Sequence, residues 1–133
     1  MPDNSNIFKV WGERRRMLLS NETEIDLLYL RRGGFSSRHN HESKINKFIV
    51  VSGKIRIDTE FGRKTLKKND VFEVRPPTMH RFVALEDSIV IECAYVEQGF
   101  IRPDDINRIK QGGRFIDGKE YTEDQLRKKG MLE

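Results

Sequence analysis

The sequence predicts an all-β protein, an antiparallel sandwich or barrel with a short helix near its C-terminus. Short runs rich in β-branched and aromatic residues follow one another between residues 7 and 97, and no helical period interrupts them. The breaks between the runs are rich in glycine, asparagine, aspartate and proline, which turns favour. Closely spaced short strands without intervening helices are typical of antiparallel sandwiches and barrels.

Nine strands are predicted after a polar N-terminus. Residues 1–6 are expected to be flexible, and residues 7–12 offer apolar anchors for an arm or an edge strand. The predicted strands are 16–20, 25–32, 36–41, 47–52, 54–59, 63–66, 70–74, 80–84 and 88–96. Strand 47–52 is apolar on both faces, so we expect the C-terminal segment or a second subunit to cover its outer face.

The sequence changes character after residue 97. We therefore assign the barrel to residues 7–97 and a C-terminal extension to residues 98–133. Within the extension, residues 102–108 indicate a short helical turn, which Gly112 and Gly113 interrupt.

A short helix is predicted near the end of the extension. Thr122 is a favourable N-cap, and Gln125 stands three residues later in the capping-box position. Acidic residues come first and basic residues last, as the helix dipole favours, and Gly130 ends the helix. We expect this helix to lie on the barrel.

The three histidines of the chain are the main candidates for a functional site. His39 and His41 are two residues apart, so a strand directs both imidazoles to the same face. His80 opens another strand after a turn that contains two prolines. Neutral imidazoles on a rigid sheet suit a divalent metal such as zinc, iron, manganese or nickel and leave positions open for a ligand. Incidental placement of the three residues is the alternative.

Composition limits the other functions. A chain of 133 residues with 36% hydrophobic residues supports one compact domain. It has neither a signal-peptide pattern nor an apolar run of the roughly 20 residues that a membrane span needs, so we expect a cytoplasmic protein without a membrane association. The single cysteine, Cys93, is consistent with a reducing compartment, and its apolar neighbours predict a buried small hydrophobe.

The net charge of +4 raises the possibility of an anionic partner. Acidic residues are interspersed with the basic clusters, and no nucleic-acid-binding motif appears, so we expect no nucleic acid. A small polar or anionic ligand such as a phosphate ester suits this charge better. Basic residues near the histidines are the candidate contacts, with a solvated surface role as the alternative: Arg38, Lys47, Arg75 and Arg81. Trp11 is expected to anchor the N-terminal arm by packing, with a stacking platform for a sugar ring as the alternative.

Two motifs carry a resemblance to a known family. Gly34-(x4)-His39-x-His41-(x4)-Asn46-(x6)-Gly53 resembles the first cupin motif, and Asn69-Asp70-(x5)-Pro76-(x3)-His80 resembles the second. Residues 8–114 are most similar to the small cupin domain of the mannose-6-phosphate isomerase type. The resemblance implies a cupin barrel, that is, a double-stranded β-helix or jelly roll. It does not specify a reaction, because many functions share this scaffold.

The resemblance also implies a set of metal ligands. His39, His41 and His80 match the histidines of the family, and Asn46 stands where the family usually has a glutamate. An asparagine can ligate a metal through its carbonyl oxygen but brings no negative charge.

Two glycines of the second motif are replaced. Asn69 stands at the first position, where it can still adopt a left-handed turn, and Pro77 stands at the second, where it cannot. The turn before His80 is therefore expected to differ in shape, with a cis peptide before Pro76 or Pro77 as one way of forming it.

The function implied by the resemblance is a metal-dependent, isomerase-like enzyme acting on a sugar or a sugar phosphate. Such a reaction needs a base beside the metal. The alternation of side chains places Glu42, Glu73 and Glu92 away from the histidine face, and Tyr29 and Tyr95 are only weak acids, so no base is assigned.

The missing base keeps two alternatives open. One is a non-catalytic cupin that binds a small carbohydrate or anionic ligand, and the other is a degenerate cupin without a metal. In each case the resemblance to small cupins and the apolar outer face of strand 47–52 predict a homodimer.

Overall fold

The computed structural model describes residues 6–132, which form strands β1 to β14 and one short helix, α1. The strands are β1 (Asn6–Lys9), β2 (Gly12–Leu19), β3 (Thr23–Leu30), β4 (Gly34–Phe35), β5 (Arg38–Asn40), β6 (Ile45–Ser52), β7 (Lys54–Thr59), β8 (Gly62–Lys67), β9 (Val71–Val74), β10 (His80–Ala84), β11 (Ser88–Tyr95), β12 (Asn107–Lys110), β13 (Gly113–Ile116) and β14 (Lys119–Thr122), followed by α1 (Glu123–Lys128). No helix within this part of the chain is long and apolar enough to cross a membrane. Of the predicted flexible segment 1–6, residues 1–5 lie outside the described residues, and Asn6 is the first residue of β1.

The strands form two antiparallel sheets around one core. The first sheet has the order β1-β2-β3-β11-β6-β9. The second has the order β12-β5-β10-β4-β13-β14, with β7 on the other edge of β10 and β8 beyond it. Apolar side chains from both sheets meet in a single buried cluster, because alternate residues of each strand point inward. The predicted antiparallel all-β barrel with a C-terminal helix is confirmed.

The N-terminal arm forms an edge strand, as the sequence indicates. β1 pairs only with β2 among the described strands, with Lys9 opposite Gly12. Trp11 follows it and is buried, and its ring meets the Phe82 ring edge-to-face at a centroid distance of 5.0 Å. The predicted packing role of this tryptophan is confirmed, since the contact joins the arm to a strand of the opposite sheet.

The second sheet continues beyond residue 97. β12 pairs with β5 and β13 pairs with β4. The helical turn predicted over residues 102–108 is wrong, because the chain makes a turn at residues 103–104 and enters β12 at Asn107. Pairing with β5 satisfies the backbone hydrogen-bonding groups of β12. A local sequence pattern does not show such pairing, because the two strands are far apart in the sequence.

The C-terminal helix begins and ends as predicted. The Thr122 hydroxyl accepts a hydrogen bond from the backbone N–H of Gln125, whose side chain accepts one from the Thr122 N–H at 2.8 Å. Gly130 has a φ of +71°, the left-handed conformation that commonly follows a helix. Leu126 is fully buried, so the helix is docked through one apolar side chain.

The turn before His80 contains the predicted cis peptide, between Pro76 and Pro77. Asn69 adopts the left-handed conformation expected of it, with a φ of +74°. The backbone therefore fits both residues that replace the glycines of the second motif, Asn69 and Pro77.

The outer face of β6 is only partly covered. Val51 is 40% exposed, and Val71 on the neighbouring β9 is 53% exposed. α1 packs against β13 and β14 instead. Of the two covers that the sequence predicts for this face, the described part of the C-terminal segment does not provide one, and a second subunit stays a prediction.

Candidate metal centre

The three histidines converge on the inner face of the second sheet. His39 lies on β5 directly opposite His80 on β10, and His41 follows the end of β5. Their ring centroids are 4.5 Å apart for His39 and His80 and 5.1 Å apart for His39 and His41. One ligand atom from each ring lies within 4.8 Å of the other two. The convergence predicted from the H-x-H spacing and the proline-containing turn is present.

Backbone carbonyl oxygens fix the orientation of all three rings. The Nδ1 atom of each ring is hydrogen-bonded to one backbone carbonyl oxygen. The partner of His39 is Ser37 at 2.9 Å, that of His41 is Asp105 at 2.6 Å, and that of His80 is Thr78 at 3.0 Å. A carbonyl only accepts, so each Nδ1 carries the proton and each Nε2 has a free lone pair. The Nε2 atoms of His41 and His80 are buried, and no described residue bonds to them.

Burial keeps the imidazoles neutral. Desolvation, together with the charges of His80 and His41, lowers the pKa of His39 to about 2, and desolvation lowers the pKa of His80 to about 4. The pKa of His41 is lowered for the same reason, although its bond to Asp105 acts in the opposite direction. Three neutral rings with oriented, unpartnered Nε2 lone pairs fit a divalent metal ion.

Asn46 offers a fourth donor atom. It lies on the inner face of β6, lines the same cavity as the histidines and is 3% exposed. Its Nδ2 donates a hydrogen bond to Glu92 Oε2 at 2.7 Å, which leaves Oδ1 buried without a described partner. An unpartnered buried oxygen in the same cavity as three imidazole rings matches the donor set that the two motifs together imply.

Glu92 occupies the cavity, which corrects the prediction that it alternates away from the site. The prediction treats the face of Cys93 as the buried one, but both faces of β11 carry apolar residues. The inner row instead contains Val90, Glu92 and Ala94. Cys93 is consequently half-buried on the outer face and not in the core.

The environment of Glu92 favours its protonated form. Burial, together with the carboxylate of Asp26 directly opposite on β3, raises the pKa of Glu92 to about 7. The hydrogen bond from Asn46 and the nearby cations act in the opposite direction. A carboxyl group with this pKa can both accept and donate a proton near neutral pH.

Glu42 and Glu73 lie away from the cavity, as the alternation predicts, and so do the two tyrosines considered as weak acids. Glu42 is exposed and bonds to Arg102 at 2.8 Å. Glu73 lies away from the cavity and accepts a hydrogen bond from the Tyr95 hydroxyl at 2.7 Å. Tyr29 lines a separate depression. None of these groups lines the histidine cavity.

The cavity has a volume of about 380 Å³ and a mixed lining. Apolar side chains such as Trp11, Phe48 and Phe82 form part of its wall. Its charged lining residues are Lys9, Arg14, Lys44, Arg108, Glu24, Asp26, Glu92 and Glu123. A cavity of this size holds a small polar molecule.

The four cations predicted to contact an anionic ligand do not line this cavity: Arg38, Lys47, Arg75 and Arg81. Each is adjacent in sequence to an inward-facing residue and therefore points to the other side of its strand. Arg81, for example, is 2% exposed and bonds to Asp58 at 3.1 Å and Glu120 at 2.8 Å. The cations of the cavity come from β1, β2, β12 and the loop before β6.

Asp105 has a role that the sequence did not reveal. Its carboxylate accepts hydrogen bonds from the backbone N–H groups of Glu42, Ser43 and Lys44 at 2.6 to 3.1 Å. Its backbone carbonyl accepts the Nδ1 proton of His41. The sequence gives no signal for this role beyond the place of Asp105 within residues 8–114, which resemble the family.

Comparison with known proteins identifies structural relatives. No protein-family model and no curated protein matches the sequence. KdgF from Halomonas sp. is 26% identical, with a TM-score of 0.62 over 68% of this chain and 83% of that chain. An RmlC-like cupin from Shewanella frigidimarina is 19% identical, with a TM-score of 0.64 over 71% of this chain and 86% of that one.

An enzyme with a described reaction shares the same architecture. Pac13 of Streptomyces, described as a nucleoside dehydratase, is 11% identical, with a TM-score of 0.69 over 80% of this chain and 85% of its own. Three observations indicate the same fold: the two antiparallel sheets, the inward-facing histidines and the structural relatives. The chain therefore has the cupin fold.

Proposed function

We propose that this protein is a metal-dependent enzyme that moves a proton on a small polar ligand, with a sugar or a sugar phosphate as the substrate class and an isomerase-like reaction. The observation that carries the proposal is the position of Glu92, a carboxyl group in the same cavity as three oriented imidazoles. The sequence alone offered no such group. An enzyme therefore becomes a better interpretation than a non-catalytic binder.

His39, His41, His80 and Asn46 would hold the metal. A bound divalent ion supplies a Lewis acid that polarises a carbonyl or hydroxyl oxygen of the ligand. Nitrogen donors with one neutral oxygen donor suit zinc, iron, manganese or nickel.

The remaining chemistry is assigned to the chain itself. Glu92 takes a proton from the carbon next to the carbonyl carbon and returns it to the former carbonyl carbon, while the hydroxyl proton of the first carbon passes to the carbonyl oxygen, so that substrate and product are isomers. The Asn46 amide holds the Glu92 carboxyl in place through its 2.7 Å hydrogen bond. Phe48 and Phe82 exclude water from the wall of the cavity, which strengthens the electrostatic interactions within it.

Structural relatives support an enzymatic interpretation in general terms. One has been described as a nucleoside dehydratase and others are oxalate decarboxylases from Bacillus subtilis. The likeness to the mannose-6-phosphate isomerase type rests on the sequence motifs, and it stays a prediction.

The first test measures metal content by plasma mass spectrometry on the untagged protein, with His41→Ala and His80→Ala for comparison. We expect about one ion per wild-type chain and a loss in both variants. Wild-type protein without metal after reconstitution with zinc, manganese, iron and nickel would remove the basis of the proposal.

The second test detects proton transfer on a panel of candidate substrates. Aldoses, ketoses and their phosphates are incubated with the metal-loaded protein in deuterium oxide, and carbon-bound deuterium is followed by NMR. We expect exchange with wild type and with Glu73→Gln, whose residue faces away from the cavity, and at least a hundredfold less with Glu92→Gln. Ligand binding without exchange would instead identify a non-catalytic cupin.

The homodimer and the cytoplasmic location stay predictions. The partly exposed Val51 and Val71 on the outer face of the first sheet support pairing of two chains. Light scattering after size exclusion gives the mass directly, and a mass of 15.7 kDa would show a monomer.

A further inference from the structure

Three cations line the cavity without an ion-pair partner among residues 6–132. They are Lys9 at the end of β1, Arg14 on β2 and Arg108 on β12. None of the three forms an ion pair with a described carboxylate, unlike Arg16 and Lys44 in the same region. They reach the cavity from both sheets, because β1 and β2 belong to the first and β12 to the second.

The carboxylates of the cavity are already engaged elsewhere. Asp26 is paired with Arg16, and Glu24 is shared by Arg16 at 3.2 Å and Lys44 at 3.4 Å. Glu92 accepts the hydrogen bond from Asn46. The fourth carboxylate, Glu123 on α1, lies 3.7 Å from Arg127. The three cations therefore give this region of the cavity an excess of positive charge.

Arg14 has an unsatisfied donor. Its Nε is buried, and no described residue accepts its hydrogen bond. Arg14 shares the inner face of the first sheet with Leu28, its direct partner on β3. A buried guanidinium N–H without an acceptor is costly, and an anionic group is the partner that it binds best.

The three cations are close enough to affect one another. Partial burial of the ammonium group lowers the pKa of Lys9, and Arg14 and Arg108 lower it further by charge repulsion, partly offset by Glu123. Arg14 also acts on the pKa of Glu92, which places it in the neighbourhood of that carboxyl. A bound anion would relieve the repulsion and lie within the same cavity as Glu92 and the histidines.

We propose that Arg14, assisted by Lys9 and Arg108, forms a subsite for an anionic group of the ligand, a carboxylate or a phosphate. The inference rests on the proposed function and narrows its substrate class to sugar acids and sugar phosphates, to the exclusion of neutral sugars. Arg14 is the principal contact because a guanidinium can bind either group through two parallel hydrogen bonds. Lys9 and Arg108 add charge at the more exposed side of the subsite.

Isothermal titration of the metal-loaded protein tests the subsite. The probes are glucuronate for a carboxylate, glucose 6-phosphate for a phosphate and glucose as the neutral reference. The variant is Arg14→Gln, and the matched control is Arg15→Gln, whose residue is next on β2 and lies over the Tyr29 ring on the opposite face. We expect at least one anionic probe to bind at least tenfold more tightly than glucose. Arg14→Gln should weaken it by roughly 10-fold to 100-fold, and Arg15→Gln should leave it unchanged.

The arms of the experiment separate the possible outcomes. Tighter binding of glucuronate or of glucose 6-phosphate identifies which anion the subsite takes. Equal affinity for glucose and both anions, binding of neither anion, or an unchanged affinity in Arg14→Gln would each overturn the inference. Arg108→Gln, a change at an exposed side chain, provides the same test if Arg14→Gln does not fold.

Failure of the subsite and failure of the proposed function are distinguishable. Metal content and deuterium exchange are measured on the same protein samples. A chain that holds metal and exchanges protons, but does not prefer anions, would contradict only the subsite. A chain that prefers anions through Arg14 but holds no metal would contradict only the proposed enzyme.

Discussion

His41 donates its Nδ1 proton to the backbone carbonyl of Asp105 at 2.6 Å, across 64 positions of sequence. The carboxylate of the same aspartate holds the backbone N–H groups of Glu42, Ser43 and Lys44. Burial alone would raise the pKa of Asp105, but these hydrogen bonds outweigh it and keep the pKa lowered. One residue thus orients a candidate metal ligand and the loop that follows it.

We expect Asp105→Ala to reduce metal affinity by roughly 10-fold to 100-fold, the usual cost of losing a group that orients a ligand. The loop loses its hydrogen-bond acceptor, so the carbonyl that orients His41 moves. Competition against a chelator of known affinity measures the effect. Asp104→Ala is the control, because Asp104 is exposed and adjacent. Equal affinities in the two variants would contradict this positioning role.

Asn46 gives a second prediction about metal affinity. Its Oδ1 is the unpartnered oxygen of the cavity, and Asn46→Ala removes it together with the hydrogen bond to Glu92. We expect metal affinity to fall about tenfold or more and proton exchange to fall with it. The same competition assay measures the affinity, with Asn107→Ala on an exposed position of β12 as the control. If Asn46→Ala keeps wild-type affinity, the metal has no contact with this amide.

Much of the candidate metal centre could be predicted from the sequence, because it depends on the alternation of side chains along single strands. Two histidines two residues apart must share a face of a strand, and His80 follows a recognisable turn. Asn46 is implied by the resemblance of the first motif to that of the cupins. These positions do not depend on how distant strands pair.

The features that could not be predicted depend on which strands pair across long stretches of the sequence. The alternation argument misplaces Glu92 because both faces of β11 carry apolar side chains, and only the neighbouring strands determine which face is inner. β12 is not predicted because all four of its residues are exposed and three of them are polar or charged, and it is ordered by pairing with β5. Arg14 and Arg108 lie far apart in the sequence and approach each other only through the topology of the two sheets.

Gly53 provides a test of the tight connection between β6 and β7. Its φ is +87°, and a Cβ placed there would lie 2.5 Å from the carbonyl oxygen of Asp87. We expect Gly53→Ala to lower the free energy of unfolding by roughly 3 kcal/mol, since it adds a clash to the conformational strain. Gly99→Ala is the matched control, because Gly99 has a φ of +74° and open space around it, and it should cost only about 1 kcal/mol. Urea unfolding measures both, and equal losses would show that the clash is relieved.

Asp58 is the centre of a buried ion-pair cluster on the strands beside His80. It accepts hydrogen bonds from Arg56 at 2.6 Å and from Arg81 at 3.1 Å, and Arg81 is paired with it directly across β7 and β10. The side chains of Asp58 and Arg81 are 5% and 3% exposed. Removing one partner would leave the other as a buried charge with fewer counter-charges, which is strongly destabilising.

The pH dependence of stability follows from the same cluster. Burial acts to raise the pKa of Asp58, but the hydrogen bonds from Arg56 and Arg81 outweigh it and hold the pKa below its ordinary value of 3.8. The unfolded chain therefore binds a proton at this group more readily than the folded one does. The stabilisation is complete above pH 3.8 and is lost as the pH falls through the lower pKa of the folded state.

We expect Asp58→Asn to lower the free energy of unfolding by roughly 3 kcal/mol at neutral pH, and this difference from wild type to shrink as the pH falls below 3.8. An amide cannot ionise, so the variant lacks the stabilisation that wild type loses in acid. Urea unfolding over a pH series measures both curves. Asp104→Asn, at an exposed position, should run parallel to wild type throughout. A constant gap between Asp58→Asn and wild type down to the acid limit would mean that the carboxylate does not titrate in this window, and that the cost of the variant comes from the geometry of the amide.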